Sequence, residues 1–271
     1  MSVIRGNLVG TTMAPEKIAE RIGGGSVDNS IVANALKGSV TGKAVAINDV
    51  SPLEHEMSVK VDVPSATVTK FGKNLVNLDT ALSDNGLTKD ENGIYHLLGN
   101  SKAVVFPKLI PANTPVHFKF QDFNGYNGKS NALFTLSVAC EGGAGISSGK
   151  LFFGGNWNSA WSSFANELTV TTDYPMKQFA LIKYTASDDY YCEFSGLQVE
   201  IGTTATDYEP YKEPVTYTAD ENGVVKDIVG NGESMTLIAD SDATITAEYN
   251  KDTNKVIESL VQAIISLGGN V

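Results

Sequence analysis

Cysteine is nearly absent from this chain: among 271 residues only Cys140 and Cys192 are present. Two cysteines cannot staple a small fold, and without a Cys-x-x-Cys pair there is no thiolate zinc site or dithiol redox motif. Both are expected as unpaired, mostly buried thiols of a protein made in a reducing cytoplasm. The three histidines, His55, His96 and His117, are scattered without a second His or Cys at ligand spacing. They read as strand-face or surface residues rather than metal ligands. No run of about 18 or more apolar residues is present to span a bilayer. Basic charge is in deficit: 20 Lys and Arg face 31 Asp and Glu, a net charge of −11. That excludes a dedicated electrostatic binder of nucleic acid or anionic membrane. The opening Met1-Ser-Val-Ile-Arg-Gly6 lacks the basic and apolar regions of a secretory signal and is expected to be mature sequence.

What is present reads as a β protein. Hydrophobic residues make up 42% and charged residues 19%, so wholesale disorder is excluded. Residues 1–25 suggest an arm: a short apolar run, then Thr11 to Glu16 as a capping segment with Pro15 in the first turn. A helix of about two turns follows, ended by Gly23-Gly24-Gly25, too short to stand alone in water. Residues 26–66 alternate weakly, as an extended strap or short strands, with Lys43–Ile47 and Met57–Val63 the clearest. Residues 67–212 carry Asn-Gly turns at Asn85, Asn92, Asn124 and Asn127 between strand-like runs. Those runs are Ala103–Phe106, Val116–Phe120, Leu133–Val138, Leu168–Thr171, Phe179–Tyr184 and Tyr191–Ile201. The pattern predicts an antiparallel β-sandwich. Residues 213–249 form a small second β region, with a hairpin expected about Asn222-Gly223. In residues 250–271, Ile257, Leu260, Ile264 and Leu267 fall three and four apart, the spacing of a coiled-coil seam. Such a face has two outlets, the chain's own core or copies of itself in a trimer.

Chemistry is harder to find. Gly142 to Lys150 invites comparison with a phosphate loop, but Ala144 and Leu151 stand where Gly and Ser or Thr are required. Asp188, Asp189, Glu193 and Glu200 are visible carboxylates for a glycoside hydrolase, and solvated outer faces explain them equally well. No catalytic residue, metal ligand or cofactor is assigned, and no enzyme is expected. The one stretch of recognition character runs from Phe152 to Phe164 and holds both tryptophans, Trp157 and Trp161, beside Asn156 and Asn158. With Tyr126 these rings and amides suit stacking on a sugar and hydrogen bonding to its hydroxyls. Burial in the core is the competing fate of such large aromatics.

Two segments bracket the predicted sandwich: Lys73-Asn74-Leu75 before it, and Leu197-Gln-Val-Glu-Ile-Gly-Thr-Thr-Ala-Thr-Asp-Tyr-Glu-Pro-Tyr211 after it. The pair resembles the start and end of carbohydrate-binding-module-like jelly rolls in structural proteins of tailed bacteriophages. Glu248–Lys255 and Ala263–Val271 are similar to the ends of fibre-like phage virion proteins, and Arg5–Gly10, less specifically, to their attachment arms. The resemblance implies a virion protein: a fibre or decoration protein made in the host cytoplasm, its arm docked on capsid, neck or tail proteins. The jelly roll would be displayed and the terminal helix would zip copies together, three by preference. Adhesion to host cell-surface glycan is implied more weakly. A soluble carbohydrate-binding module without a particle role is the alternative.

Overall fold

A computed structural model describes residues 36–48, 50–51, 55–122, 134–143, 145–146, 152–153, 167–183, 192–204, 206–230, 232–240 and 242–266. The chain is mainly β, and every strand pairing among these residues is antiparallel. Residues 1–25 lie outside the described residues.

The first strands are β1 (Lys37–Gly42), β2 (Ala44–Ile47), β3 (His55–Glu56), β4 (Ser58–Val61) and β5 (Thr67–Phe71). A middle set follows: β6 (Leu87–Lys89), β7 (Tyr95–Leu97), β8 (Val104–Ile110), β9 (Val116–Gln121), β10 (Phe134–Cys140), β11 (Gly145–Ile146) and β12 (Phe152–Phe153). It continues with β13 (Glu167–Val170), β14 (Met176–Lys183), β15 (Cys192–Phe194) and β16 (Gly196–Ile201). The last strands are β17 (Val215–Thr218), β18 (Val224–Val225), β19 (Val229–Gly230), β20 (Met235–Ala239) and β21 (Ile245–Asn250), ahead of helix α1 (Thr253–Ser266).

Partner choice divides these strands into a frame and an insert. The first and last sets pair with each other, in the orders β1-β21-β4-β18, β17-β5-β20-β2 and β19-β3. The middle strands pair only among themselves, in the orders β11-β10-β14-β8, β13-β9-β16 and β15-β7-β6, with β12 also on β10. The strap and the small β region, separate in the sequence pattern, are therefore hydrogen-bonded halves of one unit. β5, which the 67–212 boundary places with the sandwich, belongs to that frame through β17 and β20.

Period-two alternation explains the frame's core. Val59 and Val61 of β4 are buried while Ser58 and Lys60 are exposed, and Ile245 and Ala247 of β21 enter the same cluster. The insert has its own cluster, in which Phe118 of β9 meets Phe179 of β14 edge-on at 5.2 Å. Leu136 and Val138 of β10 and Leu197 and Val199 of β16 complete its centre, and Cys140 is a buried free thiol. β20 is buried along its whole length because its two faces serve different clusters: Leu237 the frame and Ile238 the insert.

The tetrad Asp-Glu-Asn-Gly occurs twice, at 90–93 and 220–223. In both copies the aspartate Oδ1 accepts two backbone N–H groups, and the glycine adopts a positive φ (82° at Gly93, 75° at Gly223). The first copy closes a hairpin between β6 and β7. The second does not: β17 pairs with β5 and β18 with β4, so the hairpin expected about Asn222-Gly223 is corrected to a turn between two sheets. Asp252 begins α1 by accepting the N–H of Asn254 at 2.9 Å. Val256, Ile257 and Val261 are only half-buried and join neither cluster.

Candidate functional site

The two bracketing segments meet at one buried residue, Asn74. Its Nδ2 donates to the Leu197 carbonyl at 2.9 Å, and its Oδ1 accepts the Val199 N–H at 3.1 Å. A longer contact reaches the Glu209 carbonyl at 3.4 Å. Leu75 N–H donates to the Val199 carbonyl at 2.8 Å, which adds backbone to the same join. Asn74 is 2% exposed, so these groups have no water to fall back on.

The trailing segment then folds back over β16. Leu197 and Val199 face the core, leaving Gly196, Gln198 and Glu200 on the opposite face, and all three are buried. Thr206 covers Glu200, donating its N–H and its hydroxyl to the carboxylate. Glu209 N–H donates to Gln198 Oε1 at 3.1 Å, and Lys73 pairs with Glu209 at 3.4 Å. The Tyr208 ring lies on Gly196, where an added Cβ would come within 2.9 Å of ring carbon Cε2. Only glycine lets the ring sit so close.

Beside this clasp opens a cleft of about 270 Å³, whose walls include Tyr95, Tyr208, Tyr211, Asn77, Asp79 and Lys89. Asn77 caps a short 3-10 turn (Leu78–Ala81) through Oδ1, which accepts the Asp79 N–H and sets that carboxylate at the rim. Asp79 accepts the Tyr95 hydroxyl at 2.6 Å and the Lys89 ammonium at 2.9 and 3.1 Å. Lys89 also stands 4.8 Å from the centre of the Tyr95 ring. Burial pushes Asp79 upward, but the Tyr95 and Lys89 donors prevail and hold it below the usual range. Burial and then Asp79 push the Tyr95 phenol up to about 12, and burial with Glu213 does the same for Tyr211.

A larger concavity, about 700 Å³, lies where insert and frame meet, between Pro107, Pro111 and Pro175 on one side and Lys43, Asp240 and Asp242 on the other. Its central pair is structural. Lys108 of β8 contacts Asp240 after β20, and Asp240 also accepts the N–H and hydroxyl of Thr67 at 2.9 and 2.7 Å. Burial alone would raise Asp240, yet the Lys108 and Thr67 donors hold it at about 2. Since the folded value lies below the unfolded value of 3.8, the contact stabilises fully above about pH 4 and is lost as pH falls toward 2. Asp240→Asn is expected to cost under about 1 kcal/mol at pH 7, because the side chain is half exposed, and to shrink the loss between pH 4 and 2. Urea midpoints of both proteins across that range check it.

The other candidates from the sequence are spread out. Tyr126, Asn156, Trp157, Asn158 and Trp161 lie outside the described residues, as do Asp188 and Asp189. The stretch before the tryptophans is seen as β12, paired with β10 through Phe153 and Phe134. Ile257 is half-buried on α1, while the side chains of Leu260 and Ile264 and all of Leu267 fall outside the described residues. Glu193 stands 3.1 Å from His96, and Glu200 is occupied by Thr206. His117 is buried with Nδ1 2.9 Å from the Thr169 hydroxyl and Nε2 3.5 Å from the Glu167 carboxylate. No cluster of metal-ligating side chains occurs among the described residues. The Asp79–Lys89–Tyr95 triad escaped the sequence reading because its members lie in a turn and two strands, with no periodic signal linking them. No protein family, characterised protein or solved structure matches the chain.

Proposed function

We propose that this chain is a structural protein of a tailed phage particle, a trimeric fibre or decoration protein that displays its β insert. In this reading the insert is an antiparallel sandwich of jelly-roll type, with the β9 and β14 sheets as its layers. The N-terminal arm docks on capsid, neck or tail proteins, and α1 joins three copies. The observation that carries the reading is the Asn74 clasp, because the residues that resemble phage jelly rolls are the ones engaged in it. The half-exposed Val256, Ile257 and Val261 supply an apolar surface for self-association.

Light scattering on the eluting protein is expected to give the mass of three chains, and Ile257→Asp with Leu260→Asp to give one chain that remains folded by circular dichroism. A monomeric wild type at micromolar concentration, or unfolding of the variant, overturns the trimer. Locating the chain in a reconstruction of an intact particle tests the particle role. A soluble carbohydrate-binding module is the second reading, favoured by the tyrosine-lined cleft, and predicts a monomer that binds glycan without any particle.

A further inference from the structure

The cleft beside the clasp carries more than a structural role. We propose that Tyr95, Tyr208, Tyr211, Asn77, Asp79 and Lys89 form a binding site for one ring of an uncharged saccharide. The inference deepens the glycan-binding reading given above, on which it rests, and is independent of whether the protein sits on a particle.

Four observations converge on it. The volume, about 270 Å³, falls just below the roughly 300–1,000 Å³ of sites for drug-sized ligands, which leaves room for a single small ring. The walls combine the rings of Tyr208 and Tyr211 with polar groups, the pairing that a sugar's apolar C–H face and hydroxyl edge require, while Tyr95, covered by Phe194 and Lys89, positions Asp79 through its hydroxyl. Tyr208 is 40% exposed, and its ring is fixed from behind by Gly196, so it offers a platform with little ordering left to lose. Finally, hydrogen-bonding capacity is left over: neither the Asn77 Nδ2 nor the Tyr208 hydroxyl has a partner among the described residues.

Charge settles the ligand class. A cationic ligand would need the carboxylate of Asp79 and the face of Tyr95, and Lys89 already occupies both. An anionic ligand would meet the carboxylate of Asp79, whose charged form the Tyr95 hydroxyl and the Lys89 ammonium favour. The ion pair cancels in net charge while still presenting a donor and an acceptor side by side, which suits adjacent hydroxyls of a neutral ring. Neutral hexoses and N-acetylhexosamines meet these demands, and choline and phosphate do not.

Saturation-transfer NMR on the full chain with glucose, galactose, rhamnose and N-acetylglucosamine, and with choline and inorganic phosphate as charged probes, tests the site. At least one sugar is expected to bind saturably, with neither charged probe binding. Tyr208→Ala should weaken that binding about tenfold, the loss of one aromatic contact, and Asp79→Asn comparably. Tyr208→Phe should retain most of it, while Gly196→Ala should weaken it with the tyrosine still present. Thermal melts of each variant separate lost binding from lost fold. The site is overturned if no sugar binds, if choline or phosphate binds in its place, or if binding survives both Tyr208→Ala and Asp79→Asn. Binding abolished by Trp157→Ala and Trp161→Ala while those two variants retain it also overturns the site, by moving the sugar to the tryptophan segment. Light scattering on the same samples reads self-association separately, so failure of the cleft and failure of the trimer are told apart.

Discussion

Replacing Phe179 with alanine is expected to remove about 4 kcal/mol of stability, the largest effect of any single change considered. The ring is 1% exposed in the middle of β14, with β10 on one side and β8 on the other. Phe118 meets it edge-on at 5.2 Å and Phe106 at a tilt at 5.7 Å, so truncation removes two aromatic contacts as well as apolar area. A cavity walled by paired strands relaxes little, which places the cost toward the upper part of the range for such changes. Natural domains hold about 5–15 kcal/mol in total, so this is a large share of the insert's stability. Circular dichroism across a urea titration follows the unfolding. Phe179→Leu should cost under about 1.5 kcal/mol, since most of the volume is kept. A loss below about 1 kcal/mol for the alanine would mean that the two sheets do not meet at this ring.

Replacing Asn74 with leucine comes second, at about 3 kcal/mol. Leucine matches asparagine in size but strands the Leu197 carbonyl and the Val199 N–H, and each such buried group costs roughly 1–3 kcal/mol. The effect is not only thermodynamic. Glu209 loses a tie to Asn74 as well, and the segment carrying Tyr208 is then held to β16 by fewer bonds. Hydrogen exchange at Val199 and Glu209 should therefore accelerate beyond the change in global stability. Equal protection of those two amides in wild type and variant would show that the clasp is not formed.

Local geometry was legible from the sequence, and partnership was not. Val116–Phe120 corresponds closely to β9, and Phe179–Lys183 lies within β14, which begins earlier at Met176, because alternation and flanking turn residues act over a few positions. Tyr191–Ile201 splits at Ser195 into β15 and β16, which join different sheets. The doubled Asp-Glu-Asn-Gly turn makes the limit plain: identical residues with identical hydrogen bonds yield a hairpin at one place and a crossing between sheets at the other. Which strand lies alongside is decided by burial summed over distant segments. The same holds for the cleft. Tyr208 and Tyr211 belong to the second bracketing segment, whereas Asp79, Lys89 and Tyr95 are ordinary residues until the insert folds. Asn74 was singled out by resemblance, and nothing local announces its bonds to residues more than 120 positions away.

The nesting of insert within frame limits what could stand in the insert's place. The chain leaves the frame after Phe71 and returns before Val215, on neighbouring strands, with Lys70 opposite Val215 in register. A Cβ on Gly72 would lie 3.4 Å from that of Lys212, so the two crossing points nearly touch. The frame thus closes its own strand pairs and cluster at this gap, while Phe71 and Ile238 take their cover from the insert. Anything standing in the insert's place would have to begin and end at that one point and bring its own apolar face to Phe71 and Ile238, which the frame lends to the insert's cluster.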